Sequence, residues 1–128
     1  MSQTCVKVSD AKLTFEGAKQ ACQAEGARLA EPRNAHDNEI ITSMIGKESV
    51  FFGAADNSFG DGTEGKFVWL SDKAPVTWGD WFKDQPNNYD NQHCMAYLEK
   101  LWNDDFCHAK HKFICQKGKH RNMYKRII

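Results

Sequence analysis

Two polar segments in the second half of the sequence carry side chains that could bind a hard cation. The first is QPNNYDNQHC, from Gln85 to Cys94, and the second is LWNDDFC, from Leu101 to Cys107. Calcium takes about 6–8 oxygen ligands from carboxylates, amide carbonyls, backbone carbonyls and water. Side chains of this kind are Gln85, Asn87, Gln92, Asn103 and Asp104. The segments therefore indicate a calcium site, although loops rich in Asn and Asp are also typical of simple turns.

Pro86 lies between two of these side chains and affects how they are aimed. If the peptide bond before Pro86 is cis, an arrangement found mainly before proline, it helps to direct Gln85 and Asn87 toward one point. The two side chains could then supply oxygen ligands to the same ion.

Histidines could bind zinc, and a serine or cysteine could act as a catalytic nucleophile. The sequence supports neither function. His108 and His111 are close enough to bring their rings together on a helix, but nothing nearby predicts a helix. No serine or cysteine lies in the elbow or helix-start pattern of an activated nucleophile. Glu99 and Asp104 are equally unsupported as an acid pair. We therefore predict no zinc site, no catalytic residue and no enzymatic activity.

Composition limits the size of the protein and its partners. A chain of 128 residues, of which 41% are hydrophobic, can form one domain with a buried core. Its 17 basic and 17 acidic residues cancel, so no global field attracts nucleic acid or an anionic membrane. The sequence contains no apolar run long enough for a transmembrane helix. We expect neither a nucleic-acid partner nor a membrane span.

The cysteines indicate the compartment. Five cysteines are many for a small domain without a Cys-x-x-Cys metal motif, and they predict disulfides in a secreted, extracellular protein. Because the first residues lack the apolar core of a signal peptide, we expect a mature or truncated chain in which Met1 replaces a leader. An odd number cannot pair completely within one chain. Cys5 is the candidate for the extra cysteine, either as a free thiol or as the link of a disulfide-bonded homodimer.

Two helices are predicted in the first third of the chain. Thr14 is a typical N-cap for a helix that runs to about Glu25 and stops at Gly26. A second helix is predicted to begin at Asn34 and to end at Gly46. Its apolar face would consist of Ile40, Ile41, Met44 and Ile45.

The remainder of the chain has the pattern of strands and loops. From residue 50 onward, VFFGA, KFVWL, CMAYLE and KFICQ are rich in β-forming residues. Residues 71–92 show little strand pattern but contain Trp78 and Trp81, which predicts an ordered binding loop. The order of these elements indicates an α+β domain. Several cations follow Cys115, and we interpret this end as a solvated tail.

Over nearly its whole length the chain resembles a C-type lectin domain, most closely the collectin branch. The segment LTFEGAKQACQAEGARLAEPRNAHDNEI is similar to the two-helix segment of that family, FFGAADN and TEGKFVW to its central strands, WFKDQPNN to its long loop, and LWNDDFC with FICQ to its closing strands. The resemblance implies an α+β C-type lectin fold over residues 1–117, with two helices, antiparallel strands and a long irregular calcium- and sugar-binding loop, and a basic tail over residues 118–128. It also implies the disulfides Cys22–Cys115 and Cys94–Cys107, which leave Cys5 over.

The resemblance implies a sugar site at the two polar segments. The acid-Pro-amide motif of the family falls on Gln85, Pro86 and Asn87, and its later acid falls on Gln92. The Trp-Asn-Asp motif falls on Trp102, Asn103 and Asp104. In the family, neighbouring hydroxyls of a sugar coordinate calcium and bond to the calcium ligands, so these side chains would bind both metal and sugar. Tyr89 lies beside the implied calcium position and could pack on the sugar ring.

The charge of the implied site departs from the family pattern. Gln85 and Gln92 stand where the family usually has Glu. Asp104 alone presents a charge of −1, which a carboxylate from Asp90 would raise to −2. Because fewer carboxylates attract the cation less strongly, we expect calcium to bind weakly, with a dissociation constant of roughly 10⁻⁴ to 10⁻³ M.

An auxiliary calcium site of the family is only partly matched. Asp56 and Glu64 agree with its pattern, whereas Asn88 and His93 stand where acids are typical. The insertion NSFGDG also separates the two matching acids. These departures argue against calcium at the auxiliary site.

The resemblance allows two interpretations of what the domain binds. The family associates Glu-Pro-Asn with mannose-type sugars and Gln-Pro-Asp with galactose-type sugars, and this chain has the hybrid Gln-Pro-Asn. Asn87 slightly favours mannose or fucose over galactose. The alternative is a domain of the same fold with weakened or lost calcium and sugar binding that recognises a protein or another surface. Under both interpretations, the family's core positions are matched by Trp69, Trp81 and Trp102.

Overall fold

The computed structural model of this protein describes residues 5–56, 66–82 and 93–118, and the backbone of residues 125 and 126. Helix α1 (Phe15–Ala24) begins as predicted, because the Thr14 hydroxyl accepts a hydrogen bond from the Gly17 N–H at 3.2 Å. After the helix, Gly26 has a φ of +72°, a left-handed conformation that glycine adopts without steric cost. Both predicted ends of the first helix are thereby confirmed.

Helix α2 (Ala35–Thr42) begins as predicted but is shorter. The Asn34 side chain accepts a hydrogen bond from the Asp37 N–H at 2.8 Å and caps the first turn. At the other end, the Ser43 hydroxyl donates to the Ile40 carbonyl at 2.6 Å, a local bond of the kind that competes with further helical turns. Two predicted face residues, Met44 and Ile45, therefore pack against the core from beyond the helix.

The described residues form eight strands in one mixed sheet. These are β1 (Cys5–Val8), β2 (Arg28–Leu29), β3 (Val50–Asp56), β4 (Phe67–Trp69), β5 (Cys94–Leu98), β6 (Leu101–Asp105), β7 (Lys112–Lys117) and β8 (Lys125–Arg126). The strand order is β6-β5-β3-β7-β1-β8, with β2 paired to β7 and β4 paired to β3. The four β-rich segments that the sequence indicated lie in β3, β4, β5 and β7.

One pairing differs from the antiparallel arrangement that the family resemblance implied. Strands β3 and β7 run parallel, with Val50 opposite Lys112 and Phe51 opposite Phe113. Parallel neighbours need a long crossover connection, and here most of the second half of the chain lies between the two strands. This topology places β3 in the middle of the sheet, where its Val50, Phe51 and Phe52 side chains are completely buried.

Two disulfides confirm the pairing that the resemblance implied. Cys22–Cys115 joins α1 to β7, and Cys94–Cys107 joins the start of β5 to the segment that follows β6. Three of the four half-cystines, Cys22, Cys94 and Cys115, are buried in a core cluster with Phe15 and Phe51. The second bond ties together the two strands that lead to and from the polar segments.

Cys5 is the unpaired cysteine, and its location bears on the predicted dimer. It lies in β1 between β7 and β8 and is 0% exposed. An intermolecular disulfide through this thiol would require β1 to leave the sheet. Burial therefore favours the free thiol over the disulfide-linked homodimer.

We expect Cys5 to be unreactive in the native protein. A chromogenic thiol reagent should detect no thiol under native conditions and one thiol per chain in guanidinium, and Cys5→Ser should remove the signal of the unfolded chain. Rapid labelling of the native protein would contradict the burial. A dimer band on a non-reducing gel that disappears on reduction would support the covalent dimer instead.

The end of the chain contributes one pairing that the sequence did not predict. Strand β8 aligns Arg126 with Cys5 and Lys125 with Val6, on the edge of β1 opposite β7. The boundary between the domain and the tail at residue 117 stays a prediction. Across the described ranges, no helix has the length and apolar character needed to span a membrane.

Candidate functional site

The structure describes only part of the predicted site. Asn103 and Asp104 lie on β6, and Asp56 lies at the end of β3. The other predicted ligands and contacts lie outside the described residues, and these are Gln85, Asn87, Tyr89, Asp90 and Gln92, with Glu64 of the auxiliary site. Within the described ranges, no group of three or more His, Cys, Asp or Glu side chains could hold a metal ion. The full predicted ligand set therefore stays a prediction.

The two described ligands lie on opposite faces of β6. Asp104 is 3% exposed, whereas Asn103 is half-buried, as expected for neighbours on a strand. The Asn103 Nδ2 donates to the carbonyl oxygens of Leu101 at 3.3 Å and Leu98 at 3.5 Å. This leaves Oδ1 of Asn103 as the amide atom suited to calcium. The structure does not bring the two side chains to one face.

The chemistry of these two donors still fits calcium. An amide oxygen and a carboxylate are both hard oxygen ligands, which calcium prefers over nitrogen or sulfur. Asp104 is also buried, and charges inside proteins are typically paired or coordinate metals. For Asn103 and Asp104 to hold one calcium ion, β6 would have to twist locally so that both side chains approach it, and the ion would then supply a Lewis-acid contact for sugar hydroxyls.

Trp102 fixes the start of this motif in the core. It is 0% exposed, and its ring meets three other tryptophan rings edge-on at centroid distances of 5.4 to 6.0 Å. These are Trp69, Trp78 and Trp81. The core role that the resemblance implied for Trp69, Trp81 and Trp102 is thereby confirmed.

The backbone of Trp102 also binds the segment that enters the long loop. Its N–H donates to the Asp80 carbonyl at 2.9 Å, and its carbonyl accepts from the Phe82 N–H at 2.8 Å. Gly79 permits this approach, because a β-carbon at that position would overlap the Trp81 ring. The loop that carries Gln85 therefore starts directly beside the Trp-Asn-Asp motif.

Asn38 is a buried residue of this region that the sequence analysis missed. Its Oδ1 accepts from the Trp102 indole N–H at 3.0 Å, and its Nδ2 donates to the Asp80 carboxylate at 3.2 Å. One side chain on α2 thus connects β6 to the start of the loop. Asn38 follows polar residues in the sequence, so the hydrophobic pattern did not indicate that it is buried. That pattern had instead predicted Ile40 on the buried face of the helix.

At the predicted auxiliary calcium site, a histidine contacts the matching acid. Asp56 is 1% exposed, and its Oδ1 lies 3.1 Å from Nδ1 of His93. A calcium ion at Asp56 would have to compete with this ring for the same oxygen. Whether the auxiliary site binds calcium stays a prediction, because Glu64 and Asn88 lie outside the described residues.

Comparisons with known proteins give the family. The family model of the lectin C-type domain matches residues 11–117. The carbohydrate-recognition domain of mouse scavenger receptor C-type lectin is 27% identical, with a TM-score of 0.83 over 94% of each chain. Its human counterpart is 25% identical, with a TM-score of 0.81 over 93% of this chain and 94% of that one.

A third solved structure is that of a protein with a different role. It is a calcium-independent type II antifreeze protein, which is 25% identical, with a TM-score of 0.79 over 92% of this chain and 88% of that one. Sugar-binding and calcium-independent proteins thus share this fold. Because the family model covers most of the sequence, the chain belongs to the C-type lectin domain family.

Proposed function

We propose that this domain is a calcium-dependent lectin that recognises neighbouring hydroxyls of a terminal sugar. C-type lectin domains commonly bind glycans and calcium and are generally not enzymes. The observation that carries the proposal is the anchored Trp102, which holds Asn103 and Asp104 beside the start of the long loop. Two similar domains of 25% and 27% identity are carbohydrate-recognition domains.

The proposed ligand set unites β6 with the loop. Gln85, Asn87 and Gln92 would add amide oxygens to the two ligands on β6. Because amides replace two carboxylates of the family pattern, the site carries less negative charge and holds calcium weakly, in a range of about 10⁻⁴ to 10⁻³ M. Such affinity suits extracellular calcium, and we place the protein outside the cell, where its two disulfides persist.

Mannose or fucose is the proposed sugar class, ahead of galactose. Asn87 is retained from the mannose-type motif, and its amide nitrogen can donate to a sugar hydroxyl while its oxygen binds calcium. Gln85 behaves in the same way, so both sides of the site offer donors. This arrangement predicts a modest preference rather than strict exclusion of galactose.

Calorimetric titration of calcium into chelator-treated protein tests the proposal. We expect weak binding that methyl mannoside tightens more than methyl galactoside does, because coupling between two ligands is reciprocal. The double variant Gln85→Glu, Gln92→Glu should bind calcium more tightly, whereas Gln23→Glu on the exposed surface of α1 should not. No heat up to about 10 mM calcium and no sugar effect would contradict the proposal.

The second candidate function is recognition of a protein or another extended surface without calcium. The contact between His93 and Asp56 favours it, because that acid is already engaged. The calcium-independent type II antifreeze protein of the same fold supports this candidate, and ice is one surface to test. Thermal hysteresis measured with and without chelator tests ice binding. Hysteresis that persists in chelator would support ice binding. If no hysteresis is seen, a protein partner would be the calcium-independent alternative.

A further inference from the structure

A chain of hydrogen bonds joins a serine, a histidine and an aspartate away from the predicted sugar ligands. Ser49 Oγ lies 2.6 Å from Nδ1 of His111, and Nε2 of His111 lies 2.6 Å from Oδ2 of Asp105. Ser49 precedes β3, His111 precedes β7, and Asp105 ends β6. The sheet therefore brings together three residues that are up to 62 positions apart in the sequence.

The imidazole at the centre of this chain is held in place from several sides. The backbone of His111 exchanges two hydrogen bonds with Leu13, at 2.9 and 3.1 Å. Its ring meets the edge of Phe51 at a centroid distance of 4.8 Å. Asp105 is fixed in turn, because its Oδ1 accepts from the Phe106 N–H at 2.8 Å. A nucleophile, a base and a group that orients the base are thus in hydrogen-bond contact.

Solvent reaches all three side chains. The His111 and Asp105 side chains are 15% and 18% exposed, and Ser49 is half-buried. Asp105 follows Asp104 on β6 but points to the opposite face, which it shares with Asn103. The partial exposure of the three side chains allows small reagents to reach Ser49.

From this geometry we propose that Ser49 is a nucleophile that takes acyl groups from activated esters. With a proton on Nε2 bonded to Asp105, Nδ1 of His111 accepts the Ser49 proton as Oγ attacks the ester carbonyl carbon. The C–O bond to the leaving alcohol breaks, and that alcohol takes the proton from His111. Water, deprotonated by the same ring, then cleaves the acyl-serine and releases a carboxylic acid. No oxidation or reduction occurs.

The direct test uses an activity-based fluorophosphonate and locates its adduct by peptide mass spectrometry. We expect native protein to carry the label on Ser49, and protein unfolded in urea to carry none. His111→Gln should slow labelling by about 100-fold or more, since general-base catalysis contributes about 10²- to 10⁴-fold. Ser43→Ala, on an exposed serine with no histidine partner, should leave the rate unchanged.

Hydrolysis of p-nitrophenyl acetate provides the second readout. The native protein should release a burst of nitrophenolate equal to its own concentration, and Ser49→Ala should show no burst. Circular dichroism checks that the variant is folded. Absence of label from native Ser49, or label distributed over several serines of the native protein, would overturn the proposal and show that these hydrogen bonds have a structural role only. This outcome needs no variant and is independent of whether the domain binds calcium or sugar.

Discussion

Replacing Cys22 and Cys115 together by alanine is expected to lower the free energy of unfolding by about 4.6 kcal/mol. The bond spans a sequence separation of 93, and cross-linking a longer segment removes more entropy from the unfolded chain. Cys22 and Cys115 are also buried between α1 and β7, so the loss of sulfur packing acts in the same direction. Urea denaturation followed by tryptophan fluorescence measures the change.

The second disulfide provides the matched control. Cys94 and Cys107 are only 13 residues apart, so their replacement by alanine should cost about 3 kcal/mol on the same entropic account. The difference between the two variants isolates the effect of loop length. Equal costs, or a larger cost for the short loop, would show that local packing rather than chain entropy determines the stabilisation.

Asn38→Ala is expected to destabilise the protein by about 2–4 kcal/mol. The change leaves the buried Trp102 indole N–H without its acceptor, which costs about 1–3 kcal/mol, and removes a donor from the half-buried Asp80 carboxylate, which adds a smaller cost. Because Trp102 and Asp80 position β6 and the start of the loop, calcium binding should weaken as well. Glu39→Ala, on the exposed neighbour in α2, should change neither quantity.

An exchange of side chains distinguishes this hydrogen-bond bridge from simple packing. Asn38→Asp alone places two carboxylates together and should destabilise the protein. Adding Asp80→Asn restores a donor to that contact, while the carboxylate at position 38 still accepts from Trp102. The double variant should therefore be more stable than the single variant, and an additive loss would contradict the bridge.

The helix starts and the disulfide pairing could be read from the sequence because their signals are either local or shared by a family. Thr14 and Asn34 cap their helices with bonds to residues three positions ahead, so the chemistry is complete within a few residues. The pairs Cys22–Cys115 and Cys94–Cys107 came from the resemblance, since spacing alone allows many pairings. The core tryptophans were identified in the same way.

Other features depended on packing between distant segments. The second helix buries Asn38, because Trp102, 64 positions away, supplies a donor inside the core. Cys5 is buried because β7 and β8 flank it, although the sequence had left it open as the link of a disulfide-bonded homodimer. The hydrophobic pattern of one segment contains no information about such partners.

The sequence by itself determined the α+β class, the cap residues, the oxygen-rich segments and their deficit of carboxylates. Only the tertiary structure decided that β3 and β7 run parallel, that Asn38 accepts a hydrogen bond from Trp102, and that Ser49 meets His111. The physical reason is distance along the chain. Composition, caps and charge act within a few residues, whereas strand order and side-chain contacts arise when the sheet brings remote segments within hydrogen-bond reach.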